Sequence, residues 1–336
     1  MRHFLLWEFI CGGGCYEDPE IDAPAGSLLH EGRLMMQAMI KELLEIPDSR
    51  LRLPLDSRMA EKEGDFLDQL KLEDYHTERI TLIWISGKDH LRQILDSELQ
   101  TCDYSLLIAP EIHEALTRYS GIFERGRAVL LGPSSDVIQI CADKWKTFMH
   151  LVRHEIHTLP TLKLMDWKGR HFGDDCVVKP RMGAGSIGVR RVDCSGSHPF
   201  LKKEMEKSSD YLLQPRTDGV SASIGVICDS INHRRKYYPS VQQVFAPQTY
   251  DYVRCEGPLE DSLDRRARCL MEQVLDSLPP FSGYLGVDLL LGNSEDVVVD
   301  INPRWTTSYC QTREWVHWNA LASLVHSREQ QKLKND

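Results

Sequence analysis

The chain has 336 residues, 42% of them hydrophobic and 27% charged, which is too long for one small binding module and too apolar for a disordered protein. Forty Lys and Arg against fifty Asp and Glu leave a formal charge of -10 with no basic run to follow a phosphate backbone, so nucleic acid is not an expected partner. No apolar run approaches the roughly 18 residues of a membrane span, and Glu8 breaks the first apolar stretch, so no membrane association and a cytoplasmic location are expected. The ten cysteines contain no C-x-x-C pair and are expected to be free thiols; Cys11 and Cys15 lack the second pair that a tetrahedral zinc site needs.

Residues 4–10 read as a strand, Gly12 to Gly14 as a turn, and 28–44 as a helix whose Leu28, Met35, Met39 and Leu43 share a face. Residues 48–77 are polar and mixed in period, and read as a loop-rich connection. Short β-rich runs at 80–85, 104–108 and 128–131 alternate with charged helical stretches, the last closed by Gly132-Pro133. This βαβ order predicts a parallel sheet with crossover helices, an α/β fold of Rossmann-like kind.

After Pro133 the order changes towards α+β. Residues 144–155 read as a helix, and 161–164, 176–179, 211–213, 224–228 and 241–245 as strands. Leu263, Ala267, Leu270, Val274 and Leu278 recur at three and four residues, and Pro279-Pro280 ends the helix they define. The runs 285–291 and 297–301, separated by Gly292-Asn293-Ser294, predict a β-hairpin. The last dozen residues are polar and are expected to fray.

Three features of this half fit one chemistry. Val178-Lys179-Pro180 runs into Gly183-Ala184-Gly185-Ser186-Ile187-Gly188, a strand delivering a lysine to a loop rich in backbone N–H groups, as a polyphosphate requires. No Gly-Lys-Ser or Gly-Lys-Thr follows, so it is not a Walker A loop, and taken alone it reads more readily as a hairpin turn than as a phosphate site. The predicted hairpin carries Asp288 on one strand and Asp300 with Asn302 on the other, a hard all-oxygen set suited to magnesium, although paired or solvated edge residues remain an alternative. Arg304 follows two residues on, placed either to hold charge developing at a carbonyl or in an ordinary salt bridge.

Asp143-Lys144 at a helix start, Val178-Lys179-Pro180 with its glycine loop, and Asp288 with Asp300-x-Asn302-x-Arg304 together resemble the ATP-grasp superfamily from about Gly132 to Tyr309. The resemblance implies an ATP-grasp fold behind a βαβ N-terminal domain, divided as 1–132 (N-terminal domain), 133–215 (small lid lobe with the glycine loop), 216–325 (large lobe with the metal site) and 326–336 (frayed tail). It further implies ATP held by Lys144, Lys179, Gly183, Gly185, Ser186 and Gly188, and magnesium or manganese held by Asp288, Asp300 and Asn302. Lys179 and Arg304 would act in catalysis, and Gln214, Pro215 and Thr217 would form the adenine hinge, with the Pro215 carbonyl and the Thr217 N–H facing the base. Two positions depart from the family pattern: Asp300 stands where a Glu is commoner, and Ser221 where a ribose-binding Glu is usual.

Glu8-Phe9-Ile10, Gly12 to Gly14, Ser27-Leu28-Leu29, Glu31-Gly32-Arg33-Leu34 and Thr306-Thr307-Ser308 are more narrowly similar to the tyramine-L-glutamate ligase group of methanofuran-type coenzyme biosynthesis. That likeness implies an ATP- and magnesium-dependent ligase joining a carboxylate to an amine through an acyl phosphate, with small-molecule partners and a homodimer left open. Glu8, Glu31 and Arg33 become candidates for reading an amino acid's charged groups, against the alternative of solvated helix residues. Phosphorylation of a hydroxyl, or nucleotide sensing without turnover, would use the same ATP site. His150, His154 and His157 lack the zincin pattern, because Leu151 follows the first histidine.

Overall fold

A computed structural model of the chain describes residues 1–17, 24–60, 78–167, 172, 175–194, 210–246 and 252–335. Strands β1 (Arg2–Glu8), β2 (Ser49–Asp56), β3 (Ile80–Ile85), β4 (Tyr104–Ile108) and β5 (Val129–Leu130) form a parallel sheet in the order β3-β2-β1-β4-β5. Alternate residues of central β1 enter different cores, Phe4 and Leu6 on one face and Leu5 and Trp7 on the other. A strand buried on both faces reads as a continuous apolar run, which is why residues 4–7 show no alternation. Helix α1 (Gly26–Glu45) covers the first face through Met35, Met36, Met39 and Leu43. After the single turn α2 (Ser57–Ala60), α3 (Lys88–Thr101) and α4 (Ala115–Arg125) cover the second face through Leu91, Leu95, Leu116, Tyr119 and Phe123.

Two sequence expectations are corrected here. Residues 49–56 are not loop: β2 pairs with both β1 and β3, and Leu51, Leu53 and Leu55 are fully buried. Arg50 before those leucines, Arg52 between them, and Pro54 inside the ladder opposite Ile83 obscured the strand; residues 61–77 of the same expected loop lie outside the described residues. The C-terminal residues up to Asn335 are helical. They continue a helix spanning Ala320–Asn335 whose Leu321, Leu324 and Val325 pack into the α1 face of the N-terminal sheet, and Arg2 pairs with Glu329 at 2.6 Å.

Two antiparallel sheets make up the second half. The smaller, β6 (Leu162–Lys163), β7 (Asp175–Pro180), β8 (Arg190–Asp193) and β9 (Tyr211–Pro215) in the order β6-β9-β7-β8, has its own core of Leu164, Cys176, Val178, Val192 and Leu213. The larger contains β10 (Val220–Asp229), β11 (Arg234–Tyr237), β12 (Val241–Phe245), β13 (Tyr252–Glu256), β14 (Gly283–Leu291) and β15 (Asp296–Asn302), in the order β13-β12-β10-β14-β15 with β11 beside β10. The helices α5 (Ser135–Cys141) and α6 (Lys144–Arg153) lead into this half. Helix α7 (Asp261–Ser277) lays the expected stripe, Ala267, Leu270 and Val274, on the larger sheet. The predicted hairpin is β14–β15, closed where the Gly292 N–H donates to the Glu295 carbonyl at 3.1 Å. A short helix α8 (Thr307–Thr312) then precedes the C-terminal helix, numbered α9. All ten cysteines are free thiols, and no helix among the described residues is long and apolar enough to cross a membrane.

Candidate active site

A cleft of about 420 Å³ lies between the two antiparallel sheets and reaches the N-terminal unit at Glu31. Its acidic end is built by the β14–β15 hairpin. Asp288 and Asp300 are direct cross-strand partners, and the register shifts immediately beyond them, where Leu289 faces Val298 and Val299 is the unpaired residue of a bulge. A bulge re-aims the chain; here Val299 lines the cleft and its carbonyl accepts a hydrogen bond from Lys179 Nζ at 3.4 Å. Like charges placed opposite each other destabilise a sheet. Burial, and then the charge of Asp300, push the Asp288 carboxyl up. Asn302 Nδ2 and Gln243 Nε2 each donate to Asp288 at 3.0 Å, and Lys144 Nζ is hydrogen-bonded to Asp300.

The residues at this end fit a divalent metal. Two half-buried, mutually repelling carboxylates and an amide form a hard oxygen set. Among the described residues no group of three or more His, Cys, Asp and Glu side chains gathers, so the set depends on Asn302 as its third member. His150 instead meets Ser277 Oγ at 3.0 Å through Nε2.

The two lysines come from different elements. Lys144 opens α6, where Asp143 caps the helix by accepting the Trp145 and Lys146 N–H groups and is gripped by Arg181 at 2.8 and 2.5 Å. Since the Lys144 N–H also donates to the Arg181 carbonyl at 3.1 Å, the start of α6 is tied to the end of β7. Burial pulls the Lys144 ammonium down, but Asp300 and Glu111 outweigh it and the net shift is upward. Lys179, on β7 and 6% exposed, goes the other way: burial and the nearby Lys144 charge overcome the attraction of Asp300 and lower it to about 8.

The glycine loop closes one side. Gly183, Gly185 and Ser186 line the cleft, with Gly185 and Ser186 at φ 63° and 59°; Gly188 does not line it, and sits at φ 76° against Pro180. Gln214, Pro215 and Thr217 line the opposite end beside the apolar Leu159, Val177 and Leu290, and Gln214 Nε2 donates to Thr161 Oγ1 at 2.8 Å. Ser221 is also on the wall.

Arg304 is held from the N-terminal unit. Its Nε and Nη2 donate to the two oxygens of Glu111 at 2.9 and 3.0 Å, and both side chains are nearly buried. Burial depresses the guanidinium's basicity, but Glu111, Glu31 and Asp300 raise it overall. Nothing in the sequence pointed to Glu111, 193 positions away. Gln243, Ser223 and Tyr252 were likewise missed although all three line the cleft; their signal is three-dimensional only. Of the three N-terminal candidates, Glu31 is on the wall, whereas Glu8 and Arg33 are not. Glu8 is buried, accepts the Cys11 N–H at 2.7 Å, and is pushed up by desolvation to about 7. The Arg33 charge acts on the neighbouring Cys11 thiol.

The family model described as an ATP-grasp domain matches residues 141–308, the segment that carries both lysines, the glycine loop, the hairpin and Arg304. The chain belongs to the ATP-grasp family. A model of the pre ATP-grasp 3 domain matches residues 66–138 in front of it. The ATP-grasp chain is 24% identical over 308 residues to the tyramine–L-glutamate ligase of Methanocaldococcus fervens, covering 90% of this chain and 87% of that protein. An ATP-grasp superfamily protein from Archaeoglobus fulgidus has the same fold with TM-score 0.70 at 16% identity, covering 97% of this chain and 88% of that one. N5-carboxyaminoimidazole synthetase from Staphylococcus aureus, solved with ADP, superposes with TM-score 0.66 at 12% identity over 97% of this chain and 76% of its own. The family places the chain among ATP-dependent ligases that form a carbon–nitrogen bond.

Proposed function

We propose that this ATP-grasp chain is a cytoplasmic ligase that joins the γ-carboxylate of L-glutamate to an amine, tyramine or a related amino compound, in an ATP- and magnesium-dependent step of methanofuran-type coenzyme biosynthesis. The observation that carries the reading is the convergence in one cleft of two lysines, a glycine loop, two opposed aspartates with Asn302, and Arg304. Phosphoryl transfer needs positioning and charge neutralisation more than acid–base groups, and this is what the cleft offers. The likeness to the Methanocaldococcus ligase supports the choice of substrates.

In this reading a glutamate carboxylate oxygen attacks the γ-phosphorus of ATP, the bond to ADP breaks, and an acyl phosphate forms. Lys144, Lys179 and the N–H groups of the loop at Gly183, Gly185 and Ser186 hold the phosphates, and Gln214, Pro215 and Thr217 border the base. Asp288, Asp300 and Asn302 would hold magnesium, which supplies neutralisation of the phosphate charge when bound. Lys144 and Asp300 now neutralise each other; a metal–nucleotide complex offers each a partner of opposite charge. Arg304, kept rigid by Glu111, faces the carbonyl and steadies the oxyanion that builds as the amine attacks.

The test is release of ADP and phosphate from ATP with magnesium and L-glutamate across amines including tyramine, tyrosine and glutamate, with mass spectrometry of the products. Amine-dependent release with a condensed mass is expected. A stable phosphate ester would establish a kinase instead, and tight ATP binding with no turnover would leave a nucleotide sensor.

A further inference from the structure

The other acids around the cleft already have partners. Asp288 and Asp300 face amides and Lys144, Glu111 is occupied by Arg304, and Glu8 accepts the Cys11 N–H. Glu31 lines the cleft half-buried, and among the described residues its carboxylate makes no hydrogen bond or ion pair. Three elements close around it. A Cβ on Gly185 would lie 3.3 Å from Glu31 Oε1, so the glycine loop crosses the carboxylate with no side chain between them. Arg304 acts on it from the hairpin side and His30 from its own helix, while Tyr252 feels its charge from β13. Burial pushes the Glu31 carboxyl up despite Arg304 and His30. A carboxylate withdrawn from water without a bonding partner is costly, and a cation brought by a substrate removes that cost.

Resting on the ligase reading above, we infer that Glu31 is the acceptor subsite: it receives the ammonium of a primary amine and takes one proton from it beside the acyl phosphate. The freed nitrogen lone pair then forms the C–N bond at the carbonyl carbon, and Arg304 holds the oxyanion. The C–O bond to phosphate breaks with its electron pair on the phosphate oxygen. The second N–H proton leaves as part of hydrogenphosphate, and the proton on Glu31 passes to solvent. The rings of Tyr252 and Phe245, edge to face at 6.2 Å, extend the cleft wall. They suit an amine with an apolar body, and the Glu31 charge disfavours an acidic acceptor such as a second glutamate.

The experiment compares two nucleophiles on the full-length enzyme with ATP, magnesium and L-glutamate. Tyramine is an ammonium ion at neutral pH; hydroxylamine is uncharged there and traps an acyl phosphate as the hydroxamate without a base. In Glu31→Gln the ratio of amide to hydroxamate is expected to fall roughly a hundredfold, the usual worth of a general base. Glu31→Asp, which keeps the charge, should recover much of that ratio and exclude a folding defect as its cause. A ratio within about twofold of wild type overturns the inference, as does parallel loss of both products while ADP with magnesium still raises the melting temperature. A wild-type enzyme that makes no hydroxamate overturns the ligase reading itself.

Discussion

Replacing Lys179 by Met should kill ATP turnover and yet stabilise the metal-free protein. The ammonium is nearly buried, beside Lys144, and its affinity for a proton has dropped from the ordinary 10.5 to about 8. A tenfold change in a protonation equilibrium is worth about 1.4 kcal/mol, so holding this charge in the folded state at neutral pH costs about 3 kcal/mol relative to the unfolded chain. Met has similar length and no charge to desolvate, so the variant should regain most of that. That advantage shrinks as pH rises. Between about 8 and 10.5 the unfolded wild-type chain binds a proton that the folded one has released, so wild type gains stability relative to the variant as pH rises through that window. Buried thiols and phenols, once exposed by unfolding, titrate in the same range, and comparison with the variant cancels their contribution. The assay is urea unfolding of both proteins with a chelator present, at intervals from pH 7 to 10.5. An advantage of the Met variant that narrows towards zero is expected. A destabilised variant, or a gap that does not change with pH, would refute the placement of Lys179 as a desolvated cation.

The Glu111→Gln change removes the charge that fixes Arg304 and leaves the guanidinium nearly buried; it should cost about 3 kcal/mol in urea unfolding and lower kcat by roughly tenfold to a hundredfold. Asp300→Asn should abolish ADP release, and activity unchanged from wild type would remove Asp300 from the proposed metal set. The Gly32→Ala substitution would bring a Cβ to 2.7 Å from Cδ of the buried Glu8. Ala usually gains about 1 kcal/mol over Gly in a helix; here melting should show a net loss of about 1–3 kcal/mol.

What the sequence revealed and what it hid follow from the range of the interactions involved. The β14–β15 hairpin, the strand carrying Lys179 and the stripe of α7 are written in neighbouring residues, and each was legible. Strand β2 was not, because an arginine and a proline occupy the positions between its buried leucines. The C-terminal helix was missed for the opposite reason: its polar tail conceals Leu321, Leu324 and Val325, whose value appears only once the α1 face exists to receive them. In the cleft, charge-bearing residues inside apolar runs stood out, while Glu111 and Gln243 look like ordinary polar residues of loop and strand. The bulge at Val299 had no local signature either, although it sets how Lys179 meets the hairpin.

The residues that were hidden share a location, and that location carries an argument about the division of labour. Lys179, the glycine loop and the aspartates belong to the two antiparallel sheets and Lys144 to helix α6, so the nucleotide end of the cleft is built within residues 141–308, the segment matched as an ATP-grasp domain. The other end is not. Arg304 gets its orientation from Glu111, which follows β4, and the carboxylate acting on it from α1 is Glu31. The N-terminal sheet is in turn clamped by the last helix of the chain, through its apolar face and the Arg2–Glu329 pair. In the proposed reaction, then, phosphoryl transfer rests on the shared domain, whereas the choice of amine rests on a surface that forms only where the N-terminal unit meets it. Substitutions that change the acceptor without touching ATP use should therefore cluster on α1 and the residues after β4, with Tyr252 as their counterpart across the cleft.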